Sequence, residues 1–325
     1  MSQGSAFKQA IAKWMFRPLV IVGQCLRNLR MRCHLACAHQ YGSAYALLPD
    51  RLIGKQPGSK IVAVITHVCR PDESDHAKTG TASCERLLST IESLLGSFSH
   101  HDIHLIVNTY RDWHQTAQLP EPIKQRLEII QHEEIDPMHV GFEVPDIFAR
   151  HREEADWFIH LEDDILVQDA TFLDKLTFFN QSTNQPKSLL LPNRFESMAG
   201  RKYYIDLRWP HGDFRPEAWA ALATFQAGGV SFGQCANSHS ACYFLNRLQL
   251  DLWLDSPRDW HNKITGAGPQ ESWSSCMLNE VFDLYKPHPS NLHYLEVRHC
   301  HPTYFQRLLA YEQEKKIRIQ SHTAS

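Results

Sequence analysis

Trp157-Phe158-Ile159-His160-Leu161-Glu162-Asp163-Asp164-Ile165-Leu166-Val167 is the stretch on which the reading of this chain turns. Five bulky residues with strand preference lead straight into three carboxylates, and an apolar run resumes at once. Adjacent carboxylates repel one another, and the flanking apolar runs hold them near the low-dielectric part of a fold. Such a cluster is costly unless a cation or strong donors compensate it. Carboxylate oxygens of this kind suit Mg2+ or Mn2+. The plain alternative is an inert acidic turn between a strand and a loop, bathed in solvent.

Outward from the triplet, strands alternate with helices. Residues 61–68 (IVAVITHV) are a continuous apolar run and read as a buried strand; 102–109 (DIHLIVNT) and 127–131 read as two more, and 241–245 as a core strand. Helical spacing marks 86–95, 146–154 and 171–180. The alternation predicts an α/β fold whose mostly parallel central sheet carries helices on both faces, with ligands bound beyond the carboxyl ends of the strands.

A hydrophobic strand ending in Glu162-Asp163-Asp164, followed by an apolar run and a helix, resembles the metal-binding DXD motif of GT-A glycosyltransferases. The segment 161–173 (LEDDILVQDATFL) is similar to that of the inverting N-acetylglucosaminyltransferase I type and of family 2-like enzymes. The resemblance implies that Asp164 binds Mn2+ or Mg2+ directly, and that Glu162 and Asp163 contact ribose, sugar or metal-bound water. It also assigns the nucleotide to the first strand, the loop after it and the next helix. There Arg70 and Arg86 are candidates for the diphosphate or base, and Asn108 and Asp112, after the second strand, for the base. For each of these the plain reading is an ordinary surface group. No Walker A or Gly-x-Gly-x-x-Gly loop is present, which disfavours a P-loop kinase or a Rossmann dehydrogenase.

Gly266-Ala267-Gly268-Pro269-Gln270-Glu271-Ser272-Trp273 opens a predicted helix running through Asp283. Pro269 suits a first helical turn, and an acid there is favoured by the helix dipole alone. The segment resembles the glycine loop and acidic motif of inverting GT-A enzymes, which makes Glu271 the candidate general base, although Gln270 and Ser272 depart from the usual neighbours. In Val297-Arg298-His299-Cys300-His301, strand period puts both histidines on one face. The resemblance makes His299 and His301 candidates to close the metal site; the plain reading is two packing histidines. For an acceptor, Asn193-Arg194-Phe195-Glu196, Tyr203-Tyr204, Trp209 and Trp260 offer aromatic faces and polar groups, as sugars need and as cores also use.

Composition bounds the rest. The 325 residues, 43% hydrophobic, suffice for one large domain or two small ones. A net charge of −3 argues against a nucleic-acid partner. Nine scattered cysteines read as reduced thiols and favour the cytoplasm. No apolar run is long enough to span a membrane, and the amino terminus makes a poor signal peptide. Residues 1–49 hold no Asp or Glu, and their positive charges accompany an apolar helical stripe (Leu19, Val22, Leu26, Leu29, Cys33). That pattern fits a peripheral segment on an anionic membrane surface at the inner face, or equally a helix packed on its own domain or in a dimer. Cys33, His34, Cys37 and His39 lack a second ligand pair at a familiar zinc spacing. The expected organisation is a basic amphipathic segment over 1–54, a GT-A domain over 55–310 and a tail over 311–325. The expected partners are a nucleoside-diphosphate sugar donor and a saccharide or glycoconjugate acceptor. A sugar-phosphate nucleotidyltransferase and a non-catalytic carbohydrate-binding protein of the same fold are the alternatives. The first would carry a glycine-rich basic loop after the first strand, where residues 69–83 hold a single glycine.

Overall fold

A computed structural model describes residues 58–69, 83–207, 224–234, 239–257, 260, 268–307, 309–310 and 313–314. The predicted segment 1–54, Arg70, Trp209, Gly266, Ala267 and nearly all of the tail 311–325 lie outside these residues.

The strands, in chain order, are β1 (Lys60–Thr66), β2 (Asp102–Tyr110), β3 (Leu127–His132), β4 (Trp157–Glu162), β5 (Ile165–Leu166), β6 (Ser188–Leu190) and β7 (Asn193–Met198). They continue with β8 (Arg201–Tyr204), β9 (Thr224–Ala227), β10 (Val230–Gln234), β11 (Cys242–Asn246), β12 (Asp283–Pro287) and β13 (Glu296–His299). The helices are α1 (Ser83–Ser97), α2 (Glu121–Lys124), α3 (Val144–Arg150), α4 (Phe172–Thr183), α5 (Arg247–Leu254) and α6 (Pro269–Ser274).

The central sheet has the order β11-β4-β1-β2-β3. β4, β1, β2 and β3 run parallel, and β11 runs antiparallel against β4. Its side chains divide by the two-residue period of a strand. Ile61, Ala63 and Ile65 of β1, Leu105 and Val107 of β2, Ile159 and Leu161 of β4, and Phe244 of β11 join α1 and α4 in one core. Val62 and Val64, Ile106, Phe158, and Tyr243 and Leu245 join α3, α5 and Trp273 of α6 in the other. A sheet covered on both faces needs apolar residues at every position, which is why these strands read as unbroken runs.

Among the described residues there are two smaller sheets, β6-β12-β10-β9 and β5-β13-β7-β8. The second of these matters most for the site. β5 follows directly on the acidic triplet, and β13 pairs antiparallel with it in the register His299↔Ile165. On its other side β13 runs parallel to β7, with Val297 opposite Arg194. The carboxyl end of β4 is thereby flanked by residues from the far end of the chain.

The helix expected from the glycine loop through Asp283 is instead two pieces. α6 stops at Ser274, Ser275 is extended at φ −173°, and a 3-10 segment covers Cys276–Glu280. Serine hydroxyls compete for the backbone here: Ser272 Oγ donates to the Gly268 carbonyl at 2.8 Å and Ser274 Oγ to the Glu271 carbonyl at 3.3 Å. Ser275 Oγ, turned out of the helix, accepts the Ser240 N–H at 2.9 Å.

His160 is a polar side chain buried in the central sheet. Its Nε2 meets Thr66 Oγ1 at 3.0 Å, and its ring packs against Tyr243 and Trp273. Burial pushes it down to about 3. The unfolded chain takes up this proton near the ordinary value of 6.5 and the folded chain does not, so stability is lost as pH falls through that range. Between about pH 8 and about pH 5 this group should cost about 2 kcal/mol of unfolding free energy. Urea titrations at the two pH values should show His160→Gln losing that much less than the native chain; equal losses would contradict the assignment.

Candidate functional site

Parallel pairing sets the frame of the site. Thr66 at the end of β1 lies opposite Glu162 at the end of β4, so His67 and Asp163 leave the sheet side by side. His67 Nε2 accepts the Gln115 N–H at 3.3 Å, which leaves the proton on Nδ1; that nitrogen donates to Asp163 Oδ2 at 2.6 Å. Arg86, carried by α1, approaches the same oxygen at 3.8 Å. Thr90 Oγ1 donates to the Asp163 carbonyl at 2.9 Å, which ties α1 to the triplet.

Asp164 turns toward β13. Its Oδ2 lies 3.0 Å from His299 Nε2, and its carbonyl accepts the Cys300 N–H at 2.8 Å. His299 Nδ1 faces two acceptors, the His301 carbonyl at 2.8 Å and Glu196 Oε1 at 3.0 Å. Nδ1 therefore carries a proton, and Nε2, protonated as well in the imidazolium, donates to Asp164. Glu196 is fully buried and also accepts the N–H groups of Tyr304 at 3.1 Å and Phe305 at 2.6 Å. A carboxylate behind an imidazole that faces an acid is the arrangement that orients a metal-ligating histidine.

Charge and burial work against each other here. Burial would raise the Asp164 carboxyl, and the adjacent His299 imidazolium overrides it, holding the group well below the usual carboxylate range. Burial would lower His299, and Asp164 carries it instead up to about 10. Glu162 has no such partner: burial, and then the charge of Asp164, push it up to about 8. Its Oε2 accepts from Gln270 Nε2 of α6 at 2.8 Å, so the start of α6 abuts the triplet.

Three buried polar atoms in this cluster have no hydrogen-bond partner: Glu162 Oε1, Asp164 Oδ1 and Nε2 of His301. Leaving buried acceptors and donors unpaired is expensive. Two carboxylate oxygens and an imidazole nitrogen share this condition beside the Asp164–His299 pair; they are donor types that Mn2+ accepts, although no three ligand atoms of this cluster lie within 4.8 Å of one another here.

Behind the site lies a buried ion cluster. Arg194 donates to Asp206 through Nε at 3.1 Å and Nη2 at 2.7 Å, and Lys286 Nζ reaches the other oxygen at 3.1 Å. Burial opposes the charge on Asp206, and Arg194 and Lys286 hold its carboxyl well below the ordinary range. The Arg194 charge also acts to lower Glu162 and Asp164.

Of the residues singled out in the sequence, Glu162, Asp163, Asp164, Arg86, His299 and His301 come together. Glu271 stands next to Gln270 in the first turn of α6. Asp112 lies exposed on the turn after β2. Asn108 is fully buried and commits its amide to the fold: Nδ2 donates to the Val140 carbonyl at 2.9 Å, and Oδ1 meets His132 Nε2 at 2.7 Å. Arg194 is buried in its ion pair, and Trp260 packs against Trp253 in the core, so neither presents a face to an acceptor. Tyr203 is likewise buried, stacked on Phe305. His67 and Gln270 are partners of the triplet that no motif in the sequence marks. Glu196 looks in sequence like a polar group for an acceptor, and nothing in Asn193–Met198 (NRFESM) marks it as buried and paired.

No protein-family model matches this chain, and no curated protein matches it. Solved structures similar to it include two of LgtC. One is an active-site mutant, 11% identical with a TM-score of 0.34, over 70% of this chain and 72% of that one. The other is the galactosyltransferase LgtC in complex with donor and acceptor sugar analogs, 11% identical with a TM-score of 0.37, over 74% and 86%. A third is GalNAc-T7 with UDP, GalNAc and Mn2+, 10% identical with a TM-score of 0.43, over 75% of this chain and 44% of that one. At these identities and scores the likeness carries nothing about chemistry, which rests on the residues themselves.

The ion cluster gives a direct test of the site's foundation. Asp206→Asn leaves two buried cations without their counter-charge, which should cost about 3–5 kcal/mol of stability. A shift of the urea midpoint worth under about 1 kcal/mol, the size typical of an exposed pair, would show that the cluster is hydrated rather than buried.

Proposed function

We propose that this chain is a metal-dependent glycosyltransferase of the GT-A type, moving a sugar from a nucleoside-diphosphate sugar to a hydroxyl of a saccharide or glycoconjugate with inversion. The observation that carries the reading is the Asp164–His299 pair, backed by Glu196 and surrounded by unpartnered Glu162, Asp164 and His301 atoms at the carboxyl ends of parallel strands. The finer kinship, with the N-acetylglucosaminyltransferase I type and family 2-like enzymes, rests on the 161–173 motif alone.

In this reading Asp164, His299 and His301 hold Mn2+ or Mg2+, the imidazoles favouring Mn2+. A bound divalent ion neutralises charge on a departing diphosphate. Glu162 and Asp163 contact the ribose or sugar, and His67 and Arg86 fix the Asp163 carboxylate for that contact. Arg70 and Asp112 are the remaining candidates for the nucleotide. Glu271 takes the proton of the acceptor hydroxyl as that oxygen attacks the anomeric carbon opposite the leaving group. A single displacement of this kind inverts the anomeric centre. Glu196 is a positioning residue: it holds the proton on His299 Nδ1, so that Nε2 is the nitrogen that gives up its proton when a metal binds.

Asp164→Ala should abolish metal-dependent binding of UDP or GDP while the chain stays folded. Calorimetric affinities that ignore Mn2+ in both proteins would overturn the metal assignment. Glu271→Gln keeps the size of the side chain and removes its basicity. Transfer should fall by about two to four powers of ten with donor binding nearly unchanged. A near-native rate would place the base elsewhere.

The basic segment extends the reading to a membrane surface. A chain beginning at Gly54 should keep turnover on a soluble acceptor and lose binding to anionic vesicles at low salt. Full-length protein that ignores such vesicles would leave the segment a packing element.

A further inference from the structure

A second cluster of metal-ligating side chains lies toward the other end of the sheet. Glu128 of β3 stands opposite Ile106 of β2, and His104, two residues before Ile106, projects from the same face. That face is covered by α3, and His151 is the residue immediately after α3 ends. The topology thus delivers two imidazoles and a carboxylate from three separate elements to one spot. One ligand atom from each of His104, Glu128 and His151 lies within 4.8 Å of the other two. His104 Nε2 is 2.8 Å from Glu128 Oε2, and the two imidazole rings meet edge to face at 4.9 Å. His151 uses Nδ1 to reach Glu154 Oε2 at 2.7 Å, which leaves Nε2 as its ligating nitrogen.

We propose that His104, Glu128 and His151 form a second metal site, for Zn2+, with Glu154 as the outer carboxylate that positions His151. Two imidazoles and one carboxylate are a nitrogen-rich donor set, which selects a transition ion over Mg2+ or Ca2+. Three protein ligands and a fourth position open to water make a four-coordinate zinc site. The partial exposure of His104 and Glu128 leaves the fourth position and the entry path to solvent. Because His104 is near the start of β2, the site is separate from the triplet at the carboxyl ends. An ion here cross-links β2, β3 and the end of α3, and the proposal stands whatever the triplet does.

Equilibrium dialysis of the full-length chain against Zn2+, with bound metal counted by mass spectrometry, tests it by difference. The double variant His104→Ala/His151→Ala should bind one Zn2+ fewer per chain than the native protein, and Asp164→Ala should keep that equivalent. Glu154→Gln should keep the stoichiometry and weaken this site about 10- to 100-fold. Should the double variant fail to give a native circular dichroism spectrum, His104→Gln alone should produce the same loss. Equal zinc content and equal affinity in the folded variants would overturn the site; an unchanged affinity in Glu154→Gln would overturn the role given to Glu154.

Discussion

Three carboxylates emerging from the middle of a sheet must be compensated where they stand, and the rest of this structure is arranged around that requirement. β4 lies between β1 and β11 and is buried along its whole length, so Glu162 at its end is held out of solvent, while Asp163 and Asp164 follow on the turn and are only partly exposed. Each acid has a separate answer. Asp163 is met by His67 and Arg86, Asp164 by His299, and Glu162 by Gln270 and by a raised pKa. The answers come from β1, α1, β13 and α6, so the triplet ties together elements that are distant in sequence.

A fold optimised only for stability would not keep such a cluster, since apolar residues of similar volume often serve as well or better than buried ion pairs. The polar atoms that remain unpartnered around Asp164 are the clearest sign that stability has been set aside locally. Positions at which sequence-level rules fail without an evident structural gain are the expected locations of function. The Arg194–Asp206–Lys286 cluster has a supporting part in this: it holds a fixed positive charge behind the acids, in a low dielectric where that charge is felt.

The central sheet was legible because its inner strands β1, β2, β4 and β11 carry apolar residues on both faces and stop at a polar break. β1, β2, β3, β4 and β11 fall where the apolar runs are, within a residue or two at each end. The triplet and the His299–His301 pair could be picked out as candidates from residue type and spacing, and the structure brings Asp164 and His299 within 3.0 Å. Tertiary pairing was not. Only the register of β13 against β5 and β7 puts His299 between Asp164 and Glu196, and no periodicity along the chain encodes it. The end of α6 at Ser274 was hidden for a related reason, since serine breaks a helix only when its hydroxyl and its neighbours find better partners. Asn108, Arg194 and Trp260 look like ligand-binding residues in sequence and prove to be buried, because residue type alone does not say whether a polar or aromatic group faces a ligand or the core.

The central claim is that Asp164 and His299 are two ligands of one divalent ion. Anomalous diffraction at the manganese edge, from crystals grown with Mn2+ and a nucleoside diphosphate, tests it most directly. The account predicts a peak between Asp164 and His299, with Nδ1 of His299 still bonded to Glu196. Manganese bound elsewhere, with the Asp164–His299 hydrogen bond intact, would contradict it.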